Sequence, residues 1–363
     1  MKKLKNILLV LCGFVVGEKI CAQDPSFSQF FSSPLNVNPA LTGAINGKWR
    51  VISNYRSQWN GPAYPYKTGT ISFDDKIFQK GVTNYVDEIT RVGIGAMLMY
   101  DETMGGALKS NYGSINFSGN VRLASAPGYE PDGNRIRHLS KIKMESGAAE
   151  QRLGVGLGIS YGQRHLDMSK LNFSEQFTGS GFDTNLPTGE AALSNMKPFV
   201  SANAGLLYSC IMDNTNFDIG VAAYHINKPK QTFLGDDNQT LATRYVAHAN
   251  CETLLTDNLI LNTNGIYQYQ SGASYYSVGG AFGYYMPTLD ERNIIINAGL
   301  WYWSKNALIP YAGFTYGNFQ VGITYEVTIS DLKNAPKKIQ TFELCLIIRG
   351  VGRPDGVIPA PWR

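Results

Sequence analysis

The sequence predicts an all-β chain: a transmembrane antiparallel β-barrel of about 14 strands, led by a non-strand N-terminal segment. Three observations predict it. Segments of two-residue alternation recur along the chain, most of them longer than the roughly five or six residues usual for a soluble strand. An export signal stands in front of them. No amphipathic helix of convincing length competes with them.

Taken in order, Met1–Ala22 reads as a signal peptide. Lys2, Lys3 and Lys5 form its basic head, and Ile7–Val16 an apolar stretch too short to span a bilayer as a helix. Cleavage after Ala22 would leave Gln23 first. A lipid anchor on Cys21 is the rival, but Glu18-Lys19-Ile20 lacks the small residue expected before such a cysteine. The signal holds four Lys and one Glu, so a net charge of +4 falls to about +1 once it is removed. No basic excess is left for nucleic acid. Cys210, Cys251 and Cys345 then remain, at spacings that follow no metal or disulfide pattern, and are expected as free structural thiols.

Residues 23–47 are rich in Pro, Asn and Ser with interspersed Phe, which resists helix and ladder alike. They are expected as a plug-like segment on the periplasmic side, with the barrel over 48–350 and a short tail over 351–363. The first strand signal sets Trp49, Val51, Ser53 and Tyr55 against Arg50, Ile52, Asn54 and Arg56. A second follows over Lys67–Asp75, after the Asn60-Gly61-Pro62 break. In Arg91–Tyr100, Val92, Ile94, Ala96, Leu98 and Tyr100 share a face. Leu108–Leu123 continues the pattern, and Arg152–Arg164 sharpens it by placing Leu153, Val155, Leu157, Ile159 and Tyr161 opposite Gly154, Gly156, Gly158, Ser160 and Gly162. Further strands are expected at Pro198–Ser209, Asn216–His225, Thr243–Leu255, Leu259–Gln270, Tyr275–Met286 and Asn293–Trp303, and the last at Ile339–Gly350.

The clearest hairpin is Ala307–Ile329. Its second arm puts Phe319, Val321, Ile323, Tyr325, Val327 and Ile329 on one side, and Gln320, Gly322, Thr324, Glu326 and Thr328 on the other. Gly317-Asn318 between the arms suits a two-residue turn, because both residues tolerate positive φ. At about 3.3 Å per residue, such an arm reaches as far as a tilted strand must to cross a bilayer.

Composition agrees. Aromatic residues make up 12% of the chain and charged residues only 17%, with 38 Gly, which suits strands with aromatic edges better than a helical enzyme. A mean hydropathy of −0.16 excludes a polytopic helical membrane protein but not a barrel, whose polar lumen dilutes the average. With the N-terminus periplasmic, the tight turns at Asp213-Asn214, Asp257-Asn258 and Gly317-Asn318 fall inside. The long His165–Met196 and Ile226–Ala242 loops fall outside, and only the long Ala124–Gln151 connection breaks this asymmetry. A soluble β-sandwich is the plainer source of alternation. Strand length, the export signal and the gathering of Trp49, Tyr55, Tyr161, Tyr284, Tyr285, Trp301 and Trp303 at segment ends weigh against it.

Little here suggests catalysis. His138, His165, His225 and His248 have no partner at metal-ligand spacing, so neither metal nor cofactor is expected. His225 and His248 could meet Ser or Asp across the ladder, as in an outer-membrane hydrolase, but no nucleophile motif marks a serine. The run Gly154–Gly158 lies inside a strand and precedes no helix, so it is no phosphate loop. It leaves room for curvature, or for a lumen occupant pressed against the wall. The polar-face charges are expected to point inward. With Trp59 they give the candidate lumen or partner contacts: Arg50, Arg56, Trp59, Arg152 and Glu326.

QDPSFSQFF, PLNVNPALTG and NYRSQW, within Gln23–Trp59, resemble the opening of the PorP/SprF family of type IX secretion outer-membrane proteins of Bacteroidetes. AYHINKP (Ala223–Pro229), the run Ile309–Leu332 and Phe342-Glu343 agree with it, so the resemblance covers essentially the whole mature chain. One departure is the tail after Gly350, which lacks the terminal strand aromatic common in barrel-assembly signals. The resemblance implies an outer-membrane barrel without enzymatic activity that serves type IX secretion and, in some members, gliding motility. The partners it implies are outer-membrane lipid, other secretion components and a large secreted surface protein, such as an adhesin, bearing a family-specific C-terminal domain. The alternative reading is a general diffusion channel or small-solute transporter, motivated by the polar inner face.

Overall fold

Hydrogen-bonded pairing closes the sheet on itself. The structure is a computed structural model that describes residues 24–45, 47–61, 64–80, 90–125, 149–189, 196–212, 214–232, 238–286 and 294–350. The expected signal, the tail over 351–363, His138 and most of the connection between Ala124 and Gln151 lie outside them. The strand segments are β1 (Trp49–Asn60), β2 (Tyr66–Lys80), β3 (Thr90–Thr103), β4 (Leu108–Ser125), β5 (Ala149–Leu166), β6 (Phe199–Met212), β7 (Thr215–Tyr224) and β8 (Arg244–Thr256). They continue with β9 (Leu259–Gln270), β10 (Ala273–Met286), β11 (Ile294–Trp303), β12 (Ala307–Tyr316), β13 (Phe319–Tyr325), β14 (Val327–Thr328) and β15 (Gln340–Arg349). β13 and β14 are one stave interrupted at Glu326, so the closed barrel has 14 antiparallel strands, as the sequence predicts.

Closure comes from β15, which pairs with β13 on one side and with β1 on the other, in register from Arg50–Arg349 to Ser57–Phe342. A barrel has no free edge, so the strand backbone groups are paired within the sheet, as a lipid environment demands. The end at which β1 begins carries the two-residue turns Asp257-Asn258 and Gly317-Asn318. It is the end the sequence predicts to be periplasmic; the opposite end, predicted to be outer, also carries a two-residue turn, Ser271-Gly272. The loops that follow β5 and β7 lie at the outer end.

Alternation sorts the side chains. On β5, Leu157 and Ile159 are 60% and 62% exposed, while Gly156, Gly158 and Arg152 face inward and are buried. The same division holds along β13, where Ile323 is exposed and Gln320, Gly322 and Thr324 are buried. The strands run longer than their alternation indicates. β2 continues to Lys80 rather than ending at Asp75, because the register shifts between Lys76 and Phe78 and the phase of the pattern changes there. Similar shifts fall between Arg122 and Ala124 on β4 and between Leu254 and Thr256 on β8, at the same rim. At the outer rim a shift between Ser57 and Asn60 carries Trp59, whose φ is +59°.

The apolar core lies inside the barrel, because residues 24–45 fill the lumen. Phe30 and Val37 of that segment pack with Tyr224, Val246, Ile266, Trp301, Ile309 and Tyr311 of the wall. On the opposite flank Phe27 and Leu35 pack against Met97 and Met99 of β3. Each fully buried side chain of this kind contributes about 1.5–3 kcal/mol. A charge introduced on the outer surface should therefore act only through lipid. Leu157→Arg, near the middle of β5, is expected to lower stability by about 2–4 kcal/mol in urea unfolding from phospholipid vesicles.

Candidate functional site: the plugged lumen

The segment that fills the lumen is built from short turns. Pro34 opens a single helical turn, Pro34–Val37, and Pro39 opens the next, Pro39–Leu41. At a first helical position proline's missing N–H costs nothing and its fixed φ suits the turn. The Asn38 side chain caps the second turn by accepting from the Ala40 N–H at 2.9 Å, and the Thr42 hydroxyl donates to the Pro39 carbonyl at 2.7 Å. Gly43 then leaves in the left-handed region at φ +68°. The PALTG stretch is thus a compact knob with its own capping.

The plug runs from the outer end of the lumen to the periplasmic end, and the wall holds it at four levels. At the outer level the Asp24 carboxylate meets His225 Nε2 at 2.8 Å and Arg244 Nε at 3.1 Å. The Asp24 N–H donates to Gln270 at 2.9 Å. Arg244 also reaches the plug at the Asn36 carbonyl, 3.1 Å away, and stacks on Tyr224 at 4.2 Å. Burial alone would raise the Asp24 carboxyl, but His225 and Arg244 beside it hold it well below the usual carboxylate range.

The middle level is a buried ionic cluster. Arg56 of β1 donates to Glu326 at 2.6 Å and forms an ion pair with Glu343 of β15 at 3.1 Å, and its guanidinium lies 4.9 Å from the Trp303 ring centre. Two carboxylates share one arginine here, and plug donors make up the difference. The Ser28 hydroxyl donates to Glu326, and the backbone N–H groups of Ser28 and Gln29 donate to Glu343 at 2.5 and 2.8 Å. In return Arg56 donates to the Ser26 carbonyl at 2.5 Å. A buried charge left without a partner costs several kcal/mol, so wall and plug each need the other.

At the third level the knob sits on wall positions without side chains. A Cβ on Gly156 of β5 would collide with the backbone of Pro39 and Ala40, and one on Gly205 of β6 with the Asn38 side chain. The close approach lets the Asn38 amide donate to the Leu206 carbonyl at 2.9 Å, and it stands 3.0 Å from His248 Nε2. At the periplasmic level Asp74 accepts from the Gly43 N–H at 2.9 Å while holding Arg50 in a two-point pair at 3.0 and 2.9 Å. Ser118 donates to the Thr42 carbonyl at 2.5 Å.

Of the residues singled out from the sequence, Arg50, Arg56, Arg152 and Glu326 all face inward and are buried. Arg50, Arg56 and Glu326 lie in the plug contacts described above, and Arg152 lines a cavity beside the plug. Trp59 stands apart at the outer rim, edge-on to Tyr66 at 5.3 Å, with its N–H donating to Thr341 at 3.1 Å. Sequence reasoning did not select Asp24, Asn38, Asp74, Arg244 or Glu343. Asp24, Asn38 and Glu343 lie in stretches that carry the family resemblance, which is the signal that could have found them.

His225 also reaches Ser201, its Nδ1 lying 2.7 Å from the serine hydroxyl oxygen, so Ser201, His225 and Asp24 form a chain. Ser201 is fully buried, and Asp24 also pairs with Arg244. The chain ties the plug to the wall rather than exposing a nucleophile. Cys210, Cys251 and Cys345 are free thiols. Among the described residues no cluster of three or more His, Cys, Asp or Glu is arranged to hold a metal ion.

A closed barrel with polar lumen, lipid-facing apolar surface and an internal plug defines an outer-membrane β-barrel. The chain belongs to the family described as type IX secretion system membrane protein PorP/SprF, which matches residues 20–348. No curated protein matches it. Among solved structures it resembles the Ralstonia pickettii toluene transporter TbuX at 10% identity and TM-score 0.43, over 88% of this chain and 94% of that one. A Pseudomonas aeruginosa FadL homologue gives 10% identity and TM-score 0.39, over 86% and 92%. At such identities nothing about cargo carries across.

Three outcomes test the plug. The depressed native pKa of Asp24 means that its contribution is complete above about pH 4 and drains as the pH falls from there toward the native value. In planar bilayers the barrel is therefore expected to stay closed from neutral pH down to about pH 4 and to open in stronger acid. Asp24→Asn should bring openings to neutral pH, because removing one partner of a buried pair costs about 3–5 kcal/mol. Gly156→Leu should displace the knob while leaving the barrel folded. The readout is new protease cleavage within residues 24–45 with unchanged strand content by circular dichroism.

Proposed function

We propose that this barrel is a closed, non-enzymatic component of type IX secretion that docks or anchors a secreted surface protein of the adhesin or gliding type. The observation that carries this reading is the occupied lumen. A diffusion channel needs a continuous wet path, and here the chain's own segment is fixed to the wall at four levels. Contact with other secretion components follows from family membership. The large secreted partner and its C-terminal domain extend the family resemblance to this chain. In the same reading residues 1–22 are removed on export, residues 23–47 are the plug, 48–350 are the barrel and 351–363 form a tail.

Deleting the gene is expected to abolish surface display of the secreted partner without changing permeability to small hydrophilic solutes. Unchanged display would sink the proposal. A large steady conductance of the purified barrel would favour the diffusion-channel reading instead. The absence of catalysis has its own test: a serine-directed fluorophosphonate is expected to leave Ser201 unlabelled, and stoichiometric labelling would point to a hydrolase.

A further inference from the structure

The rim at the end predicted to be outer carries its charge unevenly. Among the described residues, the loop that follows β5 holds Asp167, Glu175 and Asp183 against Lys170, which already donates to the Gly106 carbonyl at 3.3 Å. On the far side of the barrel the sign reverses. The connection over residues 329–339, between β14 and β15, carries Lys333, Lys337 and Lys338, and the turn between β11 and β12 adds Lys305. Asp331 is the exposed acid on that arc among the described residues. These lysines are themselves exposed, and among the described residues none of them stands in an ion pair.

The lysines share one continuous piece of rim. The Ile329 and Ser330 N–H groups donate to the Asn306 carbonyl at 2.9 and 3.2 Å, which ties the connection to the turn that holds Lys305. At its other end the connection packs on the turn between β1 and β2, where a Cβ on Gly61 would collide with the Lys338 carbonyl. Apolar side chains interleave with the charge. Val327, Ile329 and Leu332 are all exposed. Val327 and Ile329 continue the outward alternation of Ile323 and Tyr325, so the lipid-facing surface runs up to within a few residues of Lys333. Outward aromatic pairs flank the arc, Tyr276 with Tyr302 and Tyr55 with Phe342, each with ring centres 6.0 Å apart. Such aromatic belts mark the headgroup level of a bilayer.

We propose that this arc is a binding surface for the phosphate-bearing headgroup of a membrane lipid. A lysine rooted beside apolar surface keeps its stem on that surface and extends its ammonium to the headgroup level. Its compact charge suits a phosphate, and several together draw anionic lipid. Lys305, Lys333, Lys337 and Lys338 receive the phosphate, and Val327, Ile329 and Leu332 the adjoining part of the acyl chains. Charge alone would serve an acidic protein equally well. The lipid-facing band that leads into the lysines decides for a lipid. The acidic loop after β5 has the wrong sign for such a headgroup, so the barrel gathers anionic lipid on one side of its rim.

The test is native mass spectrometry of the full-length barrel, titrated in neutral detergent with dioleoyl phosphatidate, dioleoylglycerol, glycerol 3-phosphate and hexaglutamate. Phosphatidate is expected to bind. Dioleoylglycerol lacks the charge and glycerol 3-phosphate the hydrocarbon, so each should bind at least about tenfold more weakly. A variant combining Lys305→Gln, Lys333→Gln, Lys337→Gln and Lys338→Gln should lose at least about tenfold in phosphatidate affinity, since each lysine near a lipid surface is worth about fivefold. The corresponding arginine substitutions should keep the affinity, and Lys228→Gln, in the loop after β7, should leave it unchanged. Should the combined variant fail to fold, Lys337→Gln with Lys338→Gln carries the same comparison, with a loss of at least about fivefold. The proposal is overturned if phosphatidate binds no better than dioleoylglycerol, or if the glutamine variants bind like the parent. Glycerol 3-phosphate binding as tightly as phosphatidate would overturn it in favour of a soluble phosphate, and hexaglutamate doing so in favour of an acidic protein.

Discussion

The seam between the first strand and the last holds the rest of the structure together. Arg56 and Glu343 stand directly opposite each other across β1 and β15, so the ion pair at the closing seam is also the centre of the plug contact. Glu326, at the interruption between β13 and β14, adds a second carboxylate beside the same arginine. With wall groups alone this cluster would hold one more buried negative charge than positive. Plug donors at Ser28 and Gln29 satisfy the surplus oxygens. Closing the sheet and filling it are therefore one electrostatic problem with one solution.

The inside of the barrel reconciles two demands that usually conflict. A lumen lined for water has no hydrophobic core, yet a protein needs one to hold an internal segment in a single position. Here the wall turns apolar where Phe30, Phe31 and Val37 meet it, with Phe31 lying 4.8 Å from the Trp301 ring. It turns to glycine where the Asn38–Thr42 knob must come closest, and to paired charges at the two ends. Burial supplies most of the attraction, and the polar contacts fix the position, since a shifted plug would leave buried groups unpaired.

The barrel was legible in the sequence because alternation along each strand is a local signal, repeated many times, and bulges at the rims moved its boundaries without hiding it. The N-terminal segment was legible as non-strand from its prolines and asparagines. What the sequence did not show was who meets whom. Asp24 and Arg244 come together only through the wrapping of the sheet, and nothing local to either marks the other. The Gly154–Gly158 run was readable as space, with curvature and an occupant equally open. The Pro39 and Ala40 backbone against Gly156 decides for the occupant. Glu326 fits a continuous alternating arm in the sequence, and only its bond to Arg56 makes sense of a charge at that break.

The direction of the plug has a consequence for biogenesis. The chain enters β1 at the periplasmic end, while Asp24, only a few turns earlier, lies at the far end among residues of β8 and β9. A finished cylinder would have to be threaded from within to reach that arrangement. The economical order is the reverse: the leading segment lies along the growing sheet, and later strands curl around it until β15 meets β1. Because the meeting strands share Glu343 with Ser28 and Gln29, an empty sheet would zip shut against an unsatisfied carboxylate. The segment thus sits as a mandrel would, with its Ser28 and Gln29 donors on the carboxylate of the strand that closes the wall.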